Sequence, residues 1–200
     1  MFVIGLTGPI SAGKTTVMGL FAELGAAVLA ADDVARDLVK PGSQILSELR
    51  RAFGDEIVTP DGHLDRRRLG SLAFSSREAL GRLNALVHPA MRAAIDQWLS
   101  TQRARPSPPQ VAVIEAAVLA ELGLVGSVDA VVYVDAGAET RIARTMSRYG
   151  LSRAEAADRV RAQEGLGRLR ANARWVLSGE RSMEALRGSC AKICEQIRTQ

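Results

Sequence analysis

The segment Gly8-Pro9-Ile10-Ser11-Ala12-Gly13-Lys14-Thr15 constrains the fold of this 200-residue chain more than any other. It directly follows the apolar run Phe2-Val3-Ile4-Gly5-Leu6. Its spacing (glycine, four residues, Gly-Lys-Thr) is that of a phosphate-binding loop between a strand and a helix. Such a loop turns backbone N–H groups inward around phosphate oxygens. Gly13 lets the backbone approach the anion where a Cβ would crowd it. Lys14 reaches the β- and γ-phosphates of a nucleotide, and the Thr15 hydroxyl ligates Mg²⁺. The helix expected from about Lys14 to Leu24 carries Val17, Leu20, Phe21 and Leu24 on one face, and Gly25 is placed to end it. Its positive end points at the same anion. The bland alternative is a ligand-free turn, but a chance match rarely falls between a buried-strand run and an amphipathic helix.

Five segments read as strands, at 2–7, 27–31, 111–116, 130–135 and 174–177. The first, third and fourth are near-continuous apolar runs, as in parallel strands covered on both faces. Helical patterns separate them, so the expected fold is α/β, a doubly wound, mainly parallel five-stranded sheet. The long interval between the second and third strands reads as helices at about 33–39, 43–53, 65–74 and 76–100, with a turn at Asp61-Gly62. It is expected to be a helical insertion that receives the second substrate beyond the carboxyl ends of the strands. Residues 1–35 and 107–200 are thus assigned to the nucleotide-binding core and 36–106 to the insertion. Arg103 to Gln110, with Pro106, Pro108 and Pro109, is the clearest linker.

A second excursion, about 137–170, is rich in arginine. Arg141, Arg144 and Arg148 share one helical face. Gly150-Leu151-Ser152 breaks that helix, and Ser152 with Glu155 forms a capping box for the next. Read functionally, this is a lid that brings Arg144 and Arg148 to the phosphates. Read structurally, it is a solvated basic face.

The bulk composition narrows the function classes. No apolar run approaches the roughly 20 residues of a membrane span, and the N-terminus enters strand residues without a signal-peptide pattern, so a cytoplasmic location is expected. The formal net charge of +4 suits a protein that handles polyphosphates. The lysines are only Lys14, Lys40 and Lys192, and aromatic residues for base stacking are few, which argues against nucleic acid as a partner. Cys190 and Cys194, four apart on the C-terminal helix, read as small packed residues rather than as a metal site or disulfide.

Further chemical candidates stand at strand ends. Asp32 and Asp33 follow the second strand. One could take the proton of an acceptor hydroxyl during phosphoryl transfer, or cap the helix that begins near Val34. Glu115 closes the third strand, where it could hold a water on Mg²⁺ or be an ordinary polar residue. His88-Pro89 places a proline just inside a helix start, and the histidine reads as structural.

An ordered series of motifs over nearly the whole chain resembles the dephospho-coenzyme A kinase family. It comprises Ile4 through Thr16; Val28-Leu29-Ala30-Ala31-Asp32-Asp33-Val34-Ala35-Arg36, similar to an Asp-Ala-Asp…Ala-Arg motif; Phe53-Gly54; Asp61-Gly62-His63-Leu64-Asp65-Arg66; Val87-His88-Pro89; and Arg144, Arg148, Gly150-Leu151-Ser152 and Gln163. The resemblance implies a P-loop kinase that phosphorylates the ribose 3′-hydroxyl of dephospho-coenzyme A, with ATP as co-substrate and Mg²⁺ as cofactor. It implies that Ser11, Ala12, Gly13, Lys14, Thr15 and Thr16, with Arg144 and Arg148, bind the ATP phosphates. Catalysis falls to Asp32 as base, Lys14 and Arg144; acceptor binding falls to Asp32, Arg36, His88 and Glu115; and Thr15 is the metal ligand. A monomer or weak homo-oligomer without nucleic-acid or membrane partners is expected. The chain departs from the family pattern at Pro9 and Ser11, where glycines are usual, at Ala30 for the motif's first Asp, in the stretch Glu115 to Glu121, and at Ser178-Gly179 for an Asp-Asn pair. The alternatives are another P-loop small-molecule or nucleoside monophosphate kinase, or a non-catalytic nucleotide-binding regulator. The latter would need neither Asp32 nor an arginine lid.

Overall fold

The apolar run after Met1 forms β1 (Phe2–Thr7), buried along all but its first residue, in a computed structural model that describes residues 1–163 and 168–199. A strand covered on both faces must satisfy its backbone groups within a sheet. β1 does so between β3 (Val111–Glu115) and β4 (Ala130–Asp135), with Ile4 opposite Val113 on one side and Ala130 on the other. β2 (Ala27–Ala30) and β5 (Trp175–Ser178) complete a parallel sheet of order β2-β3-β1-β4-β5. Helices flank it, as the strand-helix alternation of the sequence implies.

One face of the sheet is covered by α1 (Lys14–Glu23) and α9 (Met183–Arg198). Val17, Leu20 and Phe21 of α1 meet Leu186, Cys190, Ile193 and Cys194 of α9 over Ile4, Leu6, Val113 and Val132. Both cysteines are free buried thiols in this core. Desolvation, then the neighbouring Cys194, pushes the Cys190 thiol up to about 12. Past β4, α6 (Ala138–Tyr149) and α7 (Arg153–Arg161) form a small cluster of their own around Ile142, Ala156 and Val160. Ser152 and Glu155 make the reciprocal capping box that the sequence suggests. A single turn, α8 (Arg168–Ala171), precedes β5.

The chain divides into two compact units, residues 1–30 with 102–200, and residues 31–101. The second unit is helical: α2 (Ala31–Leu38), α3 (Gln44–Phe53), α4 (Arg66–Ala73) and most of α5 (Arg77–Arg103). Ser43 and Asp65 cap α3 and α4 by accepting from Leu46 N and Arg68 N. A separate core of Val39, Leu49, Ile57 and Leu69 holds the unit together.

Two expectations need correction. α2 begins at Ala31, directly after β2, so Asp32 and Asp33 lie in its first turn rather than at an N-cap. Pro89 does not open a helix; it lies inside α5. Its missing N–H deprives the Ala85 carbonyl of the usual helical donor, and the long apolar face of α5 outweighs that loss.

Candidate active site

The phosphate loop joins β1 to α1, and its shape is set by contacts that leave no room for side chains at two points. Gly8 has φ +147, and a Cβ there would stand 2.1 Å from the Val134 carbonyl oxygen. Gly179, the residue after β5, lies so close to the other end of the loop that a Cβ would stand 1.8 Å from Ala12 O. Only glycine fits either place. Pro9 lacks an N–H, but its carbonyl is used twice. It accepts from Ala12 N at 3.3 Å and from Lys14 Nζ at 3.1 Å.

Lys14 also stands 3.9 Å from Glu115 Oε1, with both side chains nine-tenths buried or nearly so. The end of β3 therefore places a carboxylate beside the loop's ammonium. Gly13 is the N-cap of α1 and no side chain caps it. The first-turn amides of such a helix are directed at an anion rather than at carbonyl partners. Thr15 and Thr16 in that turn are exposed.

Ser11 has φ +58, the only left-handed non-glycine backbone among the described residues. That conformation costs about 1 kcal/mol or more for a residue with a Cβ. Its hydroxyl lies 2.8 Å from the Thr145 hydroxyl on α6, and its carbonyl accepts from Arg144 Nη1 at 3.3 Å. The other guanidinium nitrogen of Arg144 donates to Gly179 O at 2.8 Å. One arginine thus bridges the loop to the segment after β5. Ile10 N donates to Gln163 Oε1 at 2.6 Å, and the Ile10 side chain packs on the α6–α7 cluster.

The first unit thereby brings Ser11, Ala12, Gly13, Lys14, Thr15, Thr16, Arg144 and Glu115 to the carboxyl edge of the sheet. Arg148 is placed differently. It is exposed, and its guanidinium lies 5.5 Å from the ring of Tyr149, as does that of Arg159. Asp32, Arg36 and His88 belong to the second unit. Asp32 is exposed on α2, Arg36 pairs with Asp33 at 2.6 Å, and His88 is half-buried on α5. That unit carries a groove of about 700 Å³ lined in part by Leu38, Ile45, Leu86 and Pro89.

Sequence reasoning missed Thr145, and it named Gly179 only as a departure from the family pattern, without its contact with the loop. Thr145 had one signal: it lies three residues after Ile142 on the buried face of α6, a polar residue where an apolar one is expected. The closeness of Gly179 to Ala12 had none, because that contact is made across the sheet.

A model of the dephospho-CoA kinase family, CoaE, matches residues 2–184. The chain belongs to the dephospho-CoA kinase family. A dephospho-CoA kinase of Moorella thermoacetica is 42% identical over 198 residues, 98% of this chain and 92% of that protein. The crystal structure of TT1252 from Thermus thermophilus superposes with a TM-score of 0.81 at 37% identity, covering 97% of each chain. A dephospho-CoA kinase from Campylobacter jejuni, at 22% identity, shares the fold with a TM-score of 0.62 and covers 98% of this chain and 96% of its own. Membership in the dephospho-CoA kinase family makes the chain an ATP-dependent phosphotransferase of coenzyme A biosynthesis and agrees with the phosphate loop at the site. No helix of the described residues is long and apolar enough to cross a membrane.

Proposed function

We propose that the chain transfers the γ-phosphoryl group of ATP to the ribose 3′-hydroxyl of dephospho-CoA, giving coenzyme A and ADP, with the residue roles that follow. The observation that carries the reading is the convergence of Lys14 and Arg144 on one loop at the sheet's carboxyl edge. The bond between the γ-phosphorus and the β,γ-bridging oxygen breaks, and the acceptor oxygen bonds to that phosphorus. The acceptor proton passes to Asp32. Lys14 and Arg144 neutralise charge on the transferring group and its leaving oxygen. Ser11 to Thr16 hold the phosphates through backbone amides. Asp32, Arg36, His88 and Glu115 serve the acceptor. The groove of the second unit suits the long, largely uncharged arm of such a substrate.

Among the described residues no three His, Cys, Asp or Glu side chains gather to form a metal cage. The oxygen donors beside the loop, the Thr15 hydroxyl and the Glu115 carboxylate, fit Mg²⁺, a hard cation that keeps several of its waters. The Thr15 hydroxyl would hold it, with Glu115 able to accept from one of its waters. When bound, Mg²⁺ draws negative charge away from the phosphoryl oxygens. We place the activity in the cytoplasm, in a monomer or weak homo-oligomer.

ADP release by the purified protein, compared for dephospho-CoA, AMP and gluconate as acceptors, tests the reading. Turnover with dephospho-CoA alone is expected, and no turnover with it would overturn the assignment. Asp32→Asn is expected to lower kcat by about 10²–10⁴-fold. An unchanged rate would remove Asp32 as the base and leave the kinase assignment standing.

A further inference from the structure

The phosphate loop is tied to α6 by a hydroxyl pair that the transfer mechanism does not use. Thr145 is wholly buried, one of two polar residues so enclosed among the described residues. Its hydroxyl meets that of Ser11 at 2.8 Å. Among the described residues, Ser11 is also the one non-glycine residue held in the left-handed region. The next residue along α6, on its N-terminal side, is Arg144, whose guanidinium donates to the Ser11 carbonyl and to Gly179 O. The side chain and the carbonyl of Ser11 are therefore both held by adjacent residues of one helix. Glycine at this position could adopt the same φ without cost, but it would offer α6 no hydroxyl.

We propose that Thr145 is a positioning residue for nucleotide binding. It fixes the Ser11 turn and, through it, sets the register of Arg144 over the loop. The proposal rests on the phosphate loop being the ATP site. A loop released from this tether spends part of its time in shapes whose amides do not converge on phosphate. Apparent affinity then falls by the fraction of competent molecules. Thr145 itself need not touch the nucleotide. A hydrogen bond of ordinary net strength corresponds to about a threefold to tenfold change.

The experiment is titration of ADP and of ATP into the purified full-length protein, with thermal melting run in parallel. Thr145→Val, close to the native side chain in shape, is expected to weaken ADP binding about threefold to tenfold. The loss should fall on KM for ATP more than on kcat. Thr145→Ser, which keeps the hydroxyl, should recover most of the affinity. Ser11→Gly should weaken binding comparably, and adding Thr145→Val to it should cost nothing further, because the partner hydroxyl is already gone. The Ser11→Gly measurement stands by itself if Thr145→Val does not fold.

Wild-type affinity in Thr145→Val would overturn the inference, as would a melting shift without an affinity change, or a Thr145→Ser as weak as Thr145→Val. So would Ser11→Gly binding as tightly as wild type. Absence of nucleotide binding in the wild-type protein would overturn the phosphate-loop reading together with the inference. Tight wild-type binding with any of the other outcomes overturns the inference alone.

Discussion

Gly179 shows how a single residue constrains the site without carrying chemistry. Its Cα lies against the Ala12 carbonyl, and its own carbonyl accepts from Arg144. Gly179→Ala must push the phosphate loop or the turn after β5 out of place, and we expect kcat/KM for ATP to fall at least tenfold. Steady-state kinetics measures it. Gly188→Ala is the matched contrast. It lies on the exposed face of α9 with nothing within 4 Å of a new Cβ, and it should stabilise the fold by about 0.5–1 kcal/mol without altering KM. Cys190 yields a second residue-scale prediction. Its thiol is raised to about 12 by burial and then by Cys194, so it should resist alkylation at pH 8 in the folded protein and react after unfolding. A raised folded value means that this contribution to stability is complete below the ordinary thiol range and is lost as pH rises through it toward about 12.

Among the elements, α7 depends most plainly on one carboxylate. Glu155 accepts from Ser152 Oγ at 2.6 Å and from Ser152 N at 2.9 Å, and its own N–H donates to Ser152 Oγ at 3.4 Å. The Ser152 hydroxyl foremost, then its amide, holds the Glu155 carboxyl below the usual glutamate range. A depressed acid stabilises the fold above its unfolded pKa, and that stability is lost as pH falls through the lower, folded value. Amide protection in α7, taken relative to the intrinsic exchange rate at each pH, should therefore fall on acidification below the ordinary glutamate pKa. Glu155→Gln should flatten that dependence. This capping box was legible in the sequence, because it needs only two residues three apart. The strands were legible for a similar reason. β1, β3 and β4 are unbroken apolar runs, and only sheets covered on both faces call for those. The start of α2 was not, since the reading of one of the two aspartates as a cap supposed a break after the strand that the chain does not make.

At the scale of the molecule, two units carry two separate cores. Leu49 is wholly enclosed within the second. Leu49→Ala should cost about 2–5 kcal/mol of stability there. The urea midpoint reads the cost. ADP affinity, which the proposed roles give to the first unit, should stay near wild type, while KM for dephospho-CoA rises as the second unit loosens.

The sequence by itself determined the alternation of strands and helices, the phosphate loop with Lys14 and Thr15, the long helical stretch after β2, and an ordered set of motifs that matches one kinase family. Each rests on neighbours along the chain, where spacing alone fixes which groups can meet. The tertiary structure decided what crosses between distant segments. Arg144 rather than Arg148 faces the loop, Glu115 stands beside Lys14, Gly179 closes against Ala12, and Thr145 meets Ser11. These contacts join residues from 101 to 167 positions apart along the chain. They exist only because parallel strands bring all their carboxyl ends to one edge, and no local pattern encodes that edge.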